Sequence, residues 1–254
     1  MASSRPHILI TNDDGISAPG LLALKNALSP VGHVTVLAPN RNWSASGHVK
    51  TMHKPLRVDE TLLADGTPAL ATDGAPSDAV ALAFLGIVDG PIDLVVAGIN
   101  QGANLGHDIT YSGTVTAAME GAIAGGVPSI AVSLYSLTSV DFDVAGTAAA
   151  SLARQVLTHG LPANVLLNVN VPALPPDRIA GTMITRMGSR IYRDELIRRL
   201  DPRDRPYYWI GGPPPTGVIE EGTDFWALAH GYISITPLHL DMTAHAFMDE
   251  LRSW

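Results

Sequence analysis

Short apolar runs punctuate this chain, and between them lie stretches whose apolar residues recur at helical spacing. Ile8-Leu9-Ile10 ends in the polar cluster Thr11-Asn12-Asp13-Asp14-Gly15, and Leu21, Leu22, Leu24, Ala27 and Leu28 then follow a helical period. His33 to Ala38 is a second β-rich run, closed by Pro39-Asn40, so the first forty or so residues read as a β-α-β unit. Further strand-like runs lie at Ala69 to Thr72, Leu94 to Ala97, Ile130 to Ser133 and Val165 to Val169. Helical patterns separate several of them, over Ser77 to Leu85, Val115 to Ala124 and Val144 to Leu157. Buried apolar strands alternating with helices predict an α/β fold with a mostly parallel sheet covered on both faces.

The pattern changes from Gly181 to Pro215. That stretch carries Arg186, Arg190, Arg193, Arg198, Arg199, Arg203 and Arg205 together with Tyr207-Tyr208-Trp209. It reads as an excursion from the core: a solvated loop, or an oligomer arm, since Arg, Tyr and Trp favour protein interfaces. Asp194, Glu195, Asp201 and Asp204 interrupt its basic charge and speak against nucleic acid. The apolar pattern returns at Phe225-Trp226-Ala227-Leu228 and the strand-like Tyr232 to Thr236, and Thr243 to Leu251 predicts a closing amphipathic helix.

Composition narrows the class. At 254 residues the chain exceeds the usual size of one domain, but α/β folds often reach this length as one unit, and 1–254 is read as such. The hydrophobic fraction of 46% against 16% charged residues supplies one large core. A formal net charge of −8 disfavours a nucleic-acid or anionic-membrane binder, although a bound cation can still bring small phosphates to an acidic protein. Zero cysteines exclude disulfides, thiolate nucleophiles and Cys-based zinc sites. Met1 to Pro6 is polar and Ile8-Leu9-Ile10 is too short for a signal-peptide core, which makes the cytoplasm the expected address.

In open α/β sheets ligands bind beyond the carboxyl ends of the strands, so the loops that follow strands carry the chemistry. The first such loop holds Asp13 and Asp14, adjacent carboxylates that repel unless a cation or a proton lies between them. They suit Mg²⁺, Mn²⁺ or Ca²⁺ better than zinc, and equally suit a turn with a helix N-cap. The second loop, Asn40 to His48, offers the Ser44 hydroxyl to a metal and Ser46 or His48 to a substrate; alone it is simply a polar loop. The third runs from Gly98 through Asn100 and Asn104 to Ser112-Gly113-Thr114. Asn100 can give a neutral oxygen ligand, and Ser112, Gly113 and Thr114 stand where a helix begins and can cradle a phosphate. It matches neither the Walker motif nor the Gly-x-Gly-x-x-Gly fingerprint.

These blocks, together with Tyr111-Ser-Gly-Thr-Val-Thr-Ala-Ala-Met-Glu-Gly121, Asp73-Gly-Ala-Pro-Ser-Asp78, the Arg199 to Trp209 segment and Gly222 to Leu238, resemble in order and spacing the survival protein E (SurE) family of 5′/3′-nucleotidases. The resemblance spans almost the whole chain. It implies a three-layer α/β/α, Rossmann-like fold, with a β-rich arm at 181–215 and a C-terminal helical segment at 240–254 used for oligomerisation, the latter exchanged between subunits of a homodimer or homotetramer. It further implies one divalent cation, Mg²⁺ or Mn²⁺ (Ca²⁺ in a crystal), held by Asp13, Asp14, Ser44 and Asn100, with phosphate contacts at Asn104, Ser112, Gly113 and Thr114. Asp13 and Asp14 are then the catalytic carboxylates, either as partners of an activated water or as a nucleophile. The expected substrate is a nucleoside 5′- or 3′-monophosphate, with no membrane or nucleic-acid partner. A broad-specificity acid phosphatase or exopolyphosphatase, and a non-catalytic nucleotide-binding regulator, are the alternatives on the same site. Asn40 stands where an aspartate is usual, and Gly74-Ala75-Pro76-Ser77-Asp78 replaces Gly-Thr-Pro-Ala-Asp, neither at an expected ligand.

Overall fold

Period-two alternation in the buried strands decides which residues meet which layer. The computed structural model describes residues 5–254; residues 1–4, which belong to the amino-terminal stretch read against a signal peptide, lie outside the described residues. The chain forms β1 His7–Thr11, α1 Pro19–Leu28, β2 His33–Pro39, β3 Val58–Leu62, β4 Pro68–Thr72, α2 Pro76–Leu82, β5 Leu94–Gln101 and α3 Gly113–Ala124. It continues through β6 Ser129–Tyr135, α4 Asp143–His159, β7 Val165–Pro172, β8 Gly181–Ile184, β9 Arg190–Ile191, β10 Glu195–Leu200, β11 Pro206–Gly211 and β12 Thr216–Gly217. The last elements are α5 Asp224–Ala229, β13 Tyr232–His239 and α6 His245–Arg252.

One 9-stranded sheet runs in the order β3-β4-β2-β1-β5-β6-β7-β13-β8. The strands from β4 to β7 pair in parallel, while β3 and β13 are antiparallel to β4 and β7. Ile8 and Ile10 of β1, with Val36, Val96 and Val132, face α1 and α4, where Leu21, Leu24, Leu28, Ala145, Ala149 and Val156 cover them. Leu9, with Leu37, Val95 and Ala131, faces the other way, onto Ala79, Val80, Val115 and Ala118 of α2 and α3. Central strands buried on both faces read as unbroken apolar runs, as Leu94-Val95-Val96-Ala97 does, because neither face meets water. The fold is thus the expected three-layer α/β/α, Rossmann-like arrangement.

The expected elements recur with shifted ends. The helix expected over Ser77 to Leu85 starts at Pro76 and gives way after Leu82 to a wider turn in which Gly86 has φ +108°. Two edge elements escaped the pattern. β3 exposes most of its residues, and β8 alternates half-buried with exposed positions, so neither carries an apolar run. β8 lies within the stretch read as an excursion, yet it pairs with β13 at the edge of the main sheet. What projects is the part after it: the antiparallel β10–β11 hairpin and the short β9–β12 pair.

Helix α1 lies unusually close to β5, beside the carboxyl edge that matters below. A Cβ at Gly20 would stand 2.1 Å from the Ile99 carbonyl oxygen, so only glycine permits this approach. Gly20→Ala is therefore expected to cost about 1–3 kcal/mol of stability by overpacking, read as a lower urea midpoint with an unchanged slope.

Candidate functional site

The parallel strands reverse direction of progression at β1: β2 and β4 extend the sheet on one side, β5, β6 and β7 on the other. The crevice outside the carboxyl ends of β1 and β5 is the topological switch point, where ligands bind in open α/β sheets. Three loops meet there.

The first loop is folded by Asn12, whose side chain donates to the Gly15 carbonyl at 3.0 Å and accepts from the Gly15 N–H at 3.2 Å. Gly15 takes φ +102°, a conformation that disfavours a side chain, with the Arg41 carbonyl close against it. This turn projects Asp13 inward and Asp14 to the rim. Backbone bonds stitch it to the second loop, Ile16 to Pro39 at 2.7 Å and Trp43 to the Asp13 carbonyl at 2.7 Å. The Asp14 carboxylate stands between the other two loops, accepting from Asn42 Nδ2 at 3.5 Å and from the Gln101 backbone N–H at 3.3 Å.

Asp13 is buried and faces the start of α3. The Thr114 hydroxyl donates to its Oδ1. Gly113 must be glycine, since a Cβ there would stand 2.7 Å from Asp13 Cβ and 3.1 Å from Ser46 Oγ. Burial pushes both carboxyls above the ordinary aspartate range; the charge of Asp14 raises Asp13 further, against the lowering effect of Thr114. Among the described residues no Lys, Arg or His forms a salt bridge with either carboxylate.

The remaining donors are neutral oxygens. The Asn100 amide nitrogen donates to the Gly102 carbonyl at 2.8 Å, which identifies the nitrogen and leaves the amide oxygen for a cation. Ser44 is exposed, its backbone N–H donating to Asn42 Oδ1 at 2.7 Å. The Ser46 hydroxyl is sealed from solvent and has no hydrogen-bond partner among the described residues. Among the described residues no three or more His, Cys, Asp or Glu are arranged to hold a metal. Carboxylate, amide and hydroxyl oxygens on these adjoining loops are the donor types that a hard cation such as Mg²⁺, Mn²⁺ or Ca²⁺ takes, and two carboxylates without a cationic side chain beside them, with an orphan hydroxyl close by, fit one.

The expected phosphate residues divide. Ser112 is the N-cap of α3, accepting from the Val115 N–H at 3.1 Å, and it lies with Gly113 and Thr114 beside Asp13. Asn104 is elsewhere engaged: its side chain donates to Ser133 Oγ at 2.8 Å, and its backbone is held by Asn168 and Asn170 of β7 at 2.8–3.0 Å. Those two asparagines were missed from sequence, although Asn168 and Asn170 share one face of a buried strand and so announce a polar cluster. Asp224 was missed as well; fully buried, it accepts from the N–H groups of Gly106 and Gly188 at 2.8 Å and so ties the third loop to α5.

Fold and site together define an α/β protein of the Rossmann-like class whose binding crevice is built from strand-end loops and a helix N-terminus at the switch point. Comparison with known proteins narrows this. The family model "Survival protein SurE" matches residues 8–194, and the chain belongs to the SurE family. It is 57% identical to the 5′-nucleotidase SurE of Herpetosiphon aurantiacus, over 93% of each chain, and 52% identical to that of Chloroflexus aggregans, over 98% of each. The crystal structure of the SurE protein from Aquifex aeolicus superposes with a TM-score of 0.83 at 40% identity, covering 98% of this chain and 99% of that one.

The raised carboxyls make a prediction about stability. A buried aspartate with a raised pKa stabilises the fold only at low pH, and that contribution is lost as pH rises through the folded value. Without metal, Asp13→Asn is thus expected to melt higher than the parent at pH 7, by about 2–4 °C for each kcal/mol relieved, with the gap closing toward pH 4. Added Mn²⁺ should raise the parent's melting temperature and leave that of the variant unchanged. Differential scanning fluorimetry across pH, with and without Mn²⁺, checks both statements.

Proposed function

We propose that this chain is a 5′-nucleotidase, a phosphomonoesterase that hydrolyses nucleoside 5′- and 3′-monophosphates to nucleoside and phosphate. The observation that carries the reading is the buried Asp13 carboxylate set against the N-terminus of α3. The names of the relatives, 5′-nucleotidase SurE over nearly the full length, agree with it.

In this reading Asp13, Asp14, Ser44 and Asn100 hold one divalent cation. When bound, the cation supplies charge neutralisation on the phosphoryl oxygens and lowers the pKa of an attacking water. The chain's own groups do the positioning. Ser112 caps α3, so that the first-turn N–H groups, Gly113 among them, are presented to an anion at the helix's positive end. Thr114 fixes the Asp13 rotamer by its hydroxyl bond. Hydrolysis forms a bond from the water oxygen to phosphorus and breaks the bond between phosphorus and the ribose oxygen; the water gives one proton to a carboxylate, and the departing ribose oxygen takes up a proton from that carboxyl or from solvent to become the nucleoside hydroxyl. Phosphoryl transfer asks mainly for alignment and charge stabilisation, which suits a site with few reactive side chains. Asn104, engaged with Ser133, contributes by holding the third loop in shape as well as through any oxygen it turns to the phosphate.

Phosphate release from the 5′- and 3′-monophosphates of adenosine, guanosine, cytidine and uridine tests the proposal, with Mg²⁺, Mn²⁺ or EDTA. Metal-dependent release is expected, abolished by EDTA and reduced at least about 100-fold by Asp13→Asn, the scale of removing a main electrostatic contributor. Release that survives EDTA would overturn the cation's role, and preference for short polyphosphate would move the substrate to another phosphate class.

The projecting parts bear on assembly. The β10–β11 hairpin exposes Leu196, Trp209 and Ile210, and α6 has no buried residue while presenting Phe247, Met248 and Leu251. A homodimer or homotetramer using the hairpin and the C-terminal segment covers these residues. Ile210→Asp is expected to shift the mass measured by light scattering toward the monomer at about 26.7 kDa. Among the described residues no helix is long and apolar enough to cross a membrane; a cytoplasmic address completes the proposal.

A further inference from the structure

Helix α3 is built almost entirely of small and apolar residues, and Glu120 is its single charged side chain. It is 4% exposed. Its Oε2 lies 2.9 Å from His48 Nε2, and its Oε1 accepts from Lys50 Nζ at 3.2 Å. His48 ends the second loop and Lys50 follows two residues on, just beyond Ser44 and Ser46. An apolar residue at this position would bury at less cost than a carboxylate, so the ion pair is poorly explained by stability alone.

Geometry supplies a different reason. Gly113 and Glu120 are seven residues apart, about two turns and roughly 10 Å along one face of α3. At one end of that face Gly113 leaves room that Asp13 and Ser46 occupy; at the other Glu120 takes His48 and Lys50. Between them the Thr116 hydroxyl, which donates to the Ser112 carbonyl at 2.8 Å, also lies 3.0 Å from the Gly47 carbonyl, while the Gly47 N–H donates to the Tyr111 carbonyl at 2.9 Å. From Asn40 to Arg57 the chain has no helix or strand of its own; besides these attachments it is held by the Trp43 N–H on the Asp13 carbonyl at 2.7 Å, by the Ser77 hydroxyl on the Val49 carbonyl and by the bonds from Thr51 to Asp78 at 2.6 and 2.8 Å. The helix therefore acts as a ruler along which the loop is laid.

We propose that Glu120 is a positioning residue: with His48 and Lys50 it sets the register of the second loop, so that Ser44 and the unpaired Ser46 hydroxyl stand beside Asp13, and the affinity of the site for its divalent cation depends on that register. The inference rests on the cation reading above. Glu120 touches neither cation nor substrate and acts through the loop.

The test is Mn²⁺ binding, followed by the electron paramagnetic resonance signal of the free ion, for the parent chain, Glu120→Gln, Glu120→Asp and Lys50→Met, beside their melting temperatures without metal. Glu120→Gln is expected to raise the Kd for Mn²⁺ by about 10- to 100-fold, the usual effect of removing a group that orients metal ligands. Glu120→Asp, which keeps the charge, should recover part of the loss. Lys50→Met, at the exposed side of the cluster, should raise the Kd by less, and it serves as the readout if Glu120→Gln does not fold. A variant set that melts lower yet binds Mn²⁺ as tightly as the parent would show that Glu120 is structural only and overturn the proposal. Failure of the parent itself to bind Mn²⁺ would overturn the cation reading, and this proposal with it.

Discussion

A carboxylate sealed at the end of a buried strand must find compensation, and the way Asp13 finds it organises this end of the molecule. Its charge is disfavoured by burial and by Asp14 next to it. Against that act the Thr114 hydroxyl and the N-terminal end of α3, toward which it is turned. The arrangement requires β1, α3 and the loops after β2 and β5 to converge within hydrogen-bond distance of one another. Asn12 turns the chain sharply enough to aim Asp13 inward, and Gly113 lets the helix start against the Asp13 side chain. A parallel sheet with its switch point at β1 makes such convergence possible, because only there do adjacent connections leave on opposite faces and open a crevice.

The rest of the polar interior supports that crevice from a distance. The third loop spans from β5 to α3 without regular structure over most of its length, and it stays in place because its backbone groups are claimed by side chains from elsewhere. Asn168 and Asn170 hold Asn104, and Asp224 holds Gly106. Buried backbone groups left unpaired would cost more than the polar side chains that satisfy them, which is why a strand as deeply buried as β7 carries asparagines. On the opposite side Asp78 does the same for the Thr51 N–H, whereas Glu120 holds the neighbouring stretch by the side chains of His48 and Lys50. The mobile-looking parts of the sequence are thus held at both ends of the site by a few long-range polar bonds.

The hairpin and the last helix follow the opposite logic. Among the described residues their large apolar side chains stay exposed, apart from the edge contact of Phe247 with Trp254, and nothing in the three-layer core needs them. The hairpin is nonetheless well made: Asp201 closes its turn by accepting from Arg203, from the Arg205 backbone and from the Arg205 side chain. An exposed Trp-Ile edge on such a ribbon fits the assembly proposed above.

The sequence by itself determined the layered fold. The apolar runs and helical repeats named the parallel strands and the main helices, since burial on both faces of a sheet leaves a local signature. It also singled out Asp13 and Asp14, because two adjacent carboxylates after a buried strand conflict with their surroundings, and the family motifs pointed to Ser44, Asn100 and Ser112-Gly113-Thr114. The edge strands β3 and β8 were not legible, as half-exposed strands carry no apolar run. Only the tertiary structure decided that Thr114 serves Asp13, that Asn104 is engaged with β6 and β7, and that Glu120 grips a loop some seventy residues away in the chain. Periodicity records which face of an element is dry; the partner of a polar group depends on which elements the fold brings together, and no local pattern contains that.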